Sequence, residues 1–374
     1  MNKKDHSGQL NGTELEALED LENLVGFEIG PFDKVDLDSW EYLVGCKVEG
    51  GHVTELGLGN KGLTTVPEPI LELKHLRALD LRDNKLESLP GGLAGLQSLK
   101  TLALSSNPFK VFPGVIPSME SLEILTIGDN NLESIPYSIK QLKSLKIFAI
   151  SECKITSLPD SIGFLSSLEI LVCGKNKIPR IPDTIGNLLN LKELIAGWNE
   201  IETLPETIGN LVNLEKISLS FNRLKTLPGG IGNLKNLKEI SLWGNKLTSL
   251  PDSIGNLENL ETLQLPVNKL KKIPDTIGNL KNLRKMYLRE NEIEYLPDSI
   301  GNLKKLKKLG LQSNNLHVLP ESVGDLPMLD GLDVEDNPIS EDMFGPRTPE
   351  IIHKLRMQGC YISADFIRHE WEDL

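Results

Sequence analysis

The stretch PDTIGNLKNLRKMYLRENEIEYL, Pro274 to Leu296, decides how the chain folds. Ile277, Leu280, Leu283, Met286, Leu288, Ile293 and Leu296 are apolar, Asn291 stands alone among them, and Pro297 starts the same pattern again. Outward from Asn291 the same position recurs every 23 residues, at Lys61, Asn84, Asn107, Asn130, Cys153, Asn176, Asn199, Asn222, Asn245, Asn268, Asn291, Asn314 and Asn337. Eleven of these thirteen are asparagine, and a proline follows six residues later from Pro67 through Pro320 without a gap. A chain of 374 residues would ordinarily suggest two or three domains. A period this strict requires a solenoid instead, in which each copy is one supersecondary unit and stacking makes a continuous core.

Each copy carries its own physical logic. In LRKMYLREN the alternation puts Met286 and Leu288 inward and Lys285, Tyr287 and Arg289 outward, which predicts one short strand of a parallel sheet per copy. Asn291 then turns the chain: its side-chain carbonyl can accept a backbone N–H and its amide can donate to carbonyls of the adjoining coil. Pro297 and Asp298 suit the start of a short helix or 3-10 segment, and Gly301 lets the outer faces pack closely. Strands about 4.8 Å apart on the inside, set against wider segments outside, make such a stack curve.

At Leu260-Glu-Thr-Leu-Gln-Leu-Pro-Val-Asn268 the pattern is LxxLxLxxN, and its continuation in sister copies is LPxxIGNLxxL. This resembles the leucine-rich repeat, in the 23-residue intracellular subclass that includes the Ras-group and bacterial cytoplasmic members. The resemblance covers about residues 53–340 and implies an α/β solenoid: a curved horseshoe with a parallel concave sheet and short helical or 3-10 convex segments, in about thirteen repeats. It also implies a non-enzymatic recognition scaffold without cofactors, whose partners are signalling proteins such as small GTPases or phosphatases.

The flanks depart from the repeat. Residues 1–12 read as a disordered leader and residues 13–52 as an N-terminal cap. There Thr13 and Glu16 have capping-box spacing, and Leu15, Leu18, Leu21 and Val25 recur at helix spacing. A segment ending in Trp40, Tyr42 and Leu43 follows, then strand residues either side of a Gly50-Gly51 hairpin turn. Residues 341–374 read as a C-terminal helical cap. One helix runs from Thr348 to Gly359 with Ile351, Ile352 and Leu355 on its apolar side, and a second starts at Ser363 and carries Ile367, Trp371 and Leu374.

Composition narrows the partners. The net charge of −13 is concentrated in residues 1–50, which hold twelve acidic and four basic residues, and in residues 338–374, which hold seven and four. An acidic head without a basic stripe argues against nucleic acid and anionic membrane, and no run is long enough to span a bilayer. With no apolar segment near Met1 and four scattered cysteines, the expected setting is the cytoplasm, and the expected state a monomer. A secreted, host-directed effector is the alternative.

Most chemistry-bearing motifs dissolve into the repeat. Gly57-Leu-Gly59-Asn-Lys-Gly62 matches GxGxxG but coincides with the strand and turn of the first copy, and the Gly229–Gly232 run lacks phosphate-loop spacing. The six histidines never fall at metal-ligand spacing in the sequence, so no metal is expected. Cys153 replaces a ladder asparagine, Cys173 a core leucine, and Cys360 lacks the Cys-x-Asp signature of bacterial leucine-rich-repeat ubiquitin ligases; a nucleophile there is the weaker, enzymatic reading. What remains is the concave face. An apolar and aromatic patch of Ile147, Ile170, Val172, Ile195, Trp198, Phe221, Trp243 and Tyr287, rimmed by Glu193, Lys216, Glu239 and Arg289, has interface anatomy and is the expected partner-binding site.

Overall fold

In the computed structural model the residues described are 10, 12–31, 44–338 and 348–362. The leader before Leu10, the Trp40–Leu43 aromatic segment and the expected helix from Ser363 lie outside them. The chain divides into two compact units, Met1–Lys177 and Ile178–Leu374.

The fold is the solenoid that the repeat predicts, with one short strand per coil and parallel in-register pairing from coil to coil within each unit. In the second unit Glu239, Ile240 and Ser241 sit opposite Thr262, Leu263 and Gln264, and these opposite Lys285, Met286 and Tyr287. Between strands the chain crosses the outer side in a short 3-10 turn such as Asp275–Asn279. The core fills the space between. Ile277, Leu280, Leu283, Met286, Leu288 and Ile293 are fully buried and Leu296 nearly so, each apolar side chain contributing about 1.5–3 kcal/mol.

Asparagine works as expected. Asn291 Oδ1 accepts the N–H of Leu270 at 3.0 Å, and its Nδ2 donates to the carbonyls of Leu265 (2.9 Å), Leu288 (2.9 Å) and Arg289 (3.2 Å). The residue before each rung takes a positive φ of 50–58° at twelve non-glycine positions, Asn60 through Asp336 at the repeat spacing. That conformation is costly for bulky side chains. It is held by a bond to the next coil, such as Trp198 N–H to Ser220 O at 2.8 Å.

Proline differs slightly from expectation. Pro297 (φ −71°, ψ 147°) stands just outside the 3-10 turn, which begins at Asp298. Its extended backbone delivers the chain to the outer face, and no side-chain cap is made. Glycine in the Ile-Gly-Asn step is a packing requirement. A Cβ on Gly255 would lie 2.3 Å from the carbonyl oxygen of Thr276 in the following coil.

The first unit begins with helix α1, Gly12–Val25, which buries Glu14, Ala17, Leu18 and Leu21. Thr13 therefore lies inside the first turn rather than capping it, and Leu15 is only half buried. The surprise on the buried face is an acid, Glu14. Strands β1, Val44–Glu49, and β2, His52–Leu58, form the expected hairpin around Gly50 (φ 59°) and Gly51 (φ 83°). β2 then pairs in parallel with Ala78–Asp80, so the hairpin's second arm is the first strand of the array. In the second unit helix α2, Thr348–Met357, covers the last coil with Ile351 and Leu355 buried, and Gly359 (φ 85°) follows it.

Candidate functional site

The strand-side surface carries three rows of side chains per coil, and the expected site residues fall on them in two groups. In the first unit Ile124, Ile147 and Ile170 are successive register partners and all half buried; Val172 follows Ala149 in the adjacent row. In the second unit Glu193, Lys216 and Glu239 are successive partners. Lys216 Nζ lies 3.4 Å from Glu239 Oε2. An exposed pair of this kind adds little stability, and its value is to set a charge pattern beside the apolar rows.

The aromatic residues of the second unit assemble into a stair. Trp198 stacks on Phe221 with ring centroids 4.0 Å apart and planes 20° apart, and Phe221 leans on Trp243 at 5.0 Å and 46°. The guanidinium carbon of Arg289 sits 5.3 Å over the Trp243 ring. Trp198 and Phe221 occupy the positive-φ position, at 57° and 55°. The third step needs glycine there, because Gly244 has φ 64° and a Cβ on it would strike Phe221 at 2.8 Å. Trp243 thus enters from the preceding residue. Trp198 remains 56% exposed, an unusual burden for an indole.

Tyr287 departs from expectation. Its backbone points it to the strand side, opposite Gln264 and Gly310, yet it is only 8% exposed. Strands a few ångströms apart crowd their outward side chains against each other, so outward direction does not make an exposed anchor. The same crowding buries Ser241 and Gln264, which are hydrogen-bonded to each other at 3.2 Å.

Two acids share one position in this register with opposite surroundings. Asp80 is fully buried and gripped by Arg82, Nε to Oδ1 at 3.0 Å and the terminal nitrogen to Oδ2 at 2.7 Å. Asp333 is also buried, but the residue two further on is Glu335, which gives it only a backbone N–H at 3.1 Å. Burial and the neighbouring Glu335 and Asp336 push the Asp333 carboxyl up to about 6.

Two histidines without metal-ligand spacing in the sequence nevertheless meet in the fold. His52 and His75 are far apart in the sequence but one repeat period apart along the array, and the fold stacks their rings with centroids 3.5 Å apart. Both approach Glu14. The signal that would have found them is a histidine pair at the repeat spacing, the one separation at which a solenoid makes neighbours.

A family model described as a leucine-rich repeat region matches residues 183–266 and 228–313, and a second leucine-rich-repeat model matches residues 51–109. A leucine-rich-repeat protein of Leptospira interrogans superposes with TM-score 0.68 at 33% identity, over 83% of this chain and 84% of that one. The chain belongs to the leucine-rich-repeat family. The Arabidopsis receptor kinase HAESA, solved with the peptide hormone IDA and the co-receptor SERK1, is 28% identical with TM-score 0.67. That match covers 80% of this chain but 54% of the receptor, so the chain spans about half that structure. An internalin from Listeria monocytogenes matches 95% of each chain at TM-score 0.70 and 18% identity, a likeness of fold alone. A search of curated proteins gave no match.

Three of this leucine-rich-repeat protein's cysteines, Cys46, Cys173 and Cys360, are buried. Burial pushes the Cys173 thiol up to about 12 and those of Cys46 and Cys360 up to about 11. A thiol raised by burial in this way packs as a small apolar side chain. No helix among the described residues is long and apolar enough to cross a membrane.

Proposed function

We propose that this leucine-rich-repeat protein is a recognition scaffold that grips a protein partner on the strand-side, concave face. The Trp198–Phe221–Trp243 stair and Arg289 form its anchor in the second unit, and the isoleucine row of Ile147 and Ile170 is a further apolar strip in the first. The carrying observation is the exposed indole of Trp198, stacked at the head of three aromatic rings in a backbone conformation that a tryptophan rarely takes. Rigid aromatic surface next to a guanidinium, bordered by the Lys216–Glu239 pair, has the make-up of an interface hot spot.

The Arabidopsis neighbour solved with a peptide hormone supports a partner that presents an extended peptide segment. A small GTPase or phosphatase carrying such a segment fits the family resemblance, and a cytoplasmic, monomeric protein fits a sequence whose four cysteines are scattered and not clustered.

The experiment is crosslinking capture from the native cell extract with the natural chain, Trp198→Ala and Trp243→Ala. A captured partner should be weakened about 30-fold by either change, the equivalent of about 2 kcal/mol, with the melting temperature unchanged for Trp198→Ala. Equal capture by all three chains would sink the proposal. A lowered melting temperature without lost capture would make Trp243 a packing residue. Recovery of the protein from the culture medium would move the partner outside the cell.

A further inference from the structure

At the head of the first unit α1, β2 and the chain just before the strand Ala78–Asp80 bring three donor side chains to one point. Glu14 Oε1 lies 3.1 Å from His52 Nδ1 and 3.0 Å from His75 Nδ1. One donor atom from each of the three residues falls within 4.8 Å of the other two. The carboxylate is held in place from behind, because Glu14 Oε2 accepts the N–H of Val53 at 2.6 Å. Only 3% of Glu14 is exposed, on a helix face otherwise made of Ala17, Leu18 and Leu21. Burying a carboxylate among apolar side chains is costly unless a cation or several hydrogen bonds answer it.

We propose that Glu14, His52 and His75 form a binding site for a divalent first-row transition ion of the zinc class, which clasps the N-terminal helix to the first coils. Two imidazoles and one carboxylate with an open fourth position are a donor set that zinc accepts. Donors on a tetrahedral ion about 2.0–2.1 Å away are separated by about 3.3 Å, close to the two nitrogen–oxygen distances already present. Binding requires each ring to present the Nδ1 lone pair and carry its proton on Nε2. The side chain of His75 is 53% exposed, so a small rotation away from the stacked arrangement is open to it. The Val53 bond acts as the outer support that such ligands need, fixing the carboxylate while Oε1 faces the ion.

Access is provided by a cleft lined by Gly12, Glu16, Glu72, Lys74 and His75. Its two further acids favour an entering cation, and the Lys74 ammonium is turned to the Leu71 carbonyl. Because the three ligands come from three separate elements, the ion would add stability to the cap and not only occupy its surface.

The test uses the full chain, stripped with a chelator and titrated with zinc chloride under calorimetry, with the melting temperature followed in parallel. One equivalent should bind and raise the melting temperature, and His75→Ala and Glu14→Gln should each weaken that binding tenfold or more. His75→Ala keeps the apolar packing of α1, so its apo melting temperature verifies folding. Absence of stoichiometric uptake by the natural chain, or uptake unchanged in both variants, would overturn the site.

Discussion

The coil-to-coil ladder and the strand-side surface are built from the same repeat, yet they use sequence in opposite ways. In the ladder one residue type does one task at almost every turn: Asn268, like Asn291, spends its whole amide on backbone groups, accepting from Leu247 at 3.0 Å and donating to Leu242, Leu265 and Pro266 at 3.0–3.1 Å. On the strand side the same backbone presents Ile170 in one coil, Glu193 in the next and Lys216 in the one after. The difference separates what makes the protein a solenoid from what makes it this solenoid. Positions that must satisfy buried backbone have no freedom, and recognition is written where the backbone is already satisfied.

The hardest way to break that division is to remove a rung. Asn268→Ala leaves the Leu247 N–H and its neighbouring carbonyls without partners in a buried turn, and stability should fall by roughly 2–3 kcal/mol in denaturant unfolding. Substitution of Glu239, which stands half buried on the strand side, should move the same midpoint by less than about 0.5 kcal/mol. Similar losses at both sites would show that the surface helps to hold the coils.

A smaller effect distinguishes the two acids of the strand side. Asp333 has its carboxyl raised by burial, so the folded state holds a proton that the unfolded chain has already released between about pH 4 and 6. Folded protein binds more protons in that window, so stability falls as pH rises through it and stays reduced above it. Glu335→Arg places a guanidinium two residues on, as Arg82 stands to Asp80, and removes a repelling carboxylate. It should restore on the order of 1–2 kcal/mol at pH 7 and flatten the pH 4–6 slope in melting curves. A slope that persists in the variant would assign it to other groups.

The sequence makes these regions unequally legible. The rung asparagines, the outer glycines and the Gly50-Gly51 hairpin can be read directly, because each is the cheapest answer to a backbone demand that recurs at fixed spacing. Outward direction at Tyr287 is readable from alternation, but its burial depends on Gln264 and its other neighbours in adjacent coils, which no single copy contains. The stair is half legible: the aromatics are visible, while the fact that Gly244 makes room for Phe221 requires the turn geometry. Glu14 with His52 and His75 escapes any rule based on local spacing, since its members meet only through stacking. The charges behave likewise. Glu123 holds both Lys100 and Lys146 at 2.6 Å, each one repeat away.

The finest test lies where the ladder itself changes letter. Cys153 stands on a rung and imitates asparagine with a longer reach: its Sγ lies 3.7 Å from Ile127 O and 3.6 Å from Ser151 O. The neighbouring rung, Asn176, reaches Ile150 O at 2.9 Å and also accepts from Ile155 N–H at 3.0 Å. A thiol is a weak donor and a weak acceptor, so this rung is the least well satisfied of its neighbours. Cys153 is half buried rather than enclosed, which leaves space for the larger amide. Cys153→Asn should therefore raise stability by about 0.5–1 kcal/mol, read as a shift of the denaturation midpoint with an unchanged slope. A loss instead would mean that the turn beside Glu152 has closed around sulfur. The ladder would then tolerate exchange of its chemistry only where the adjoining coils have adapted to it.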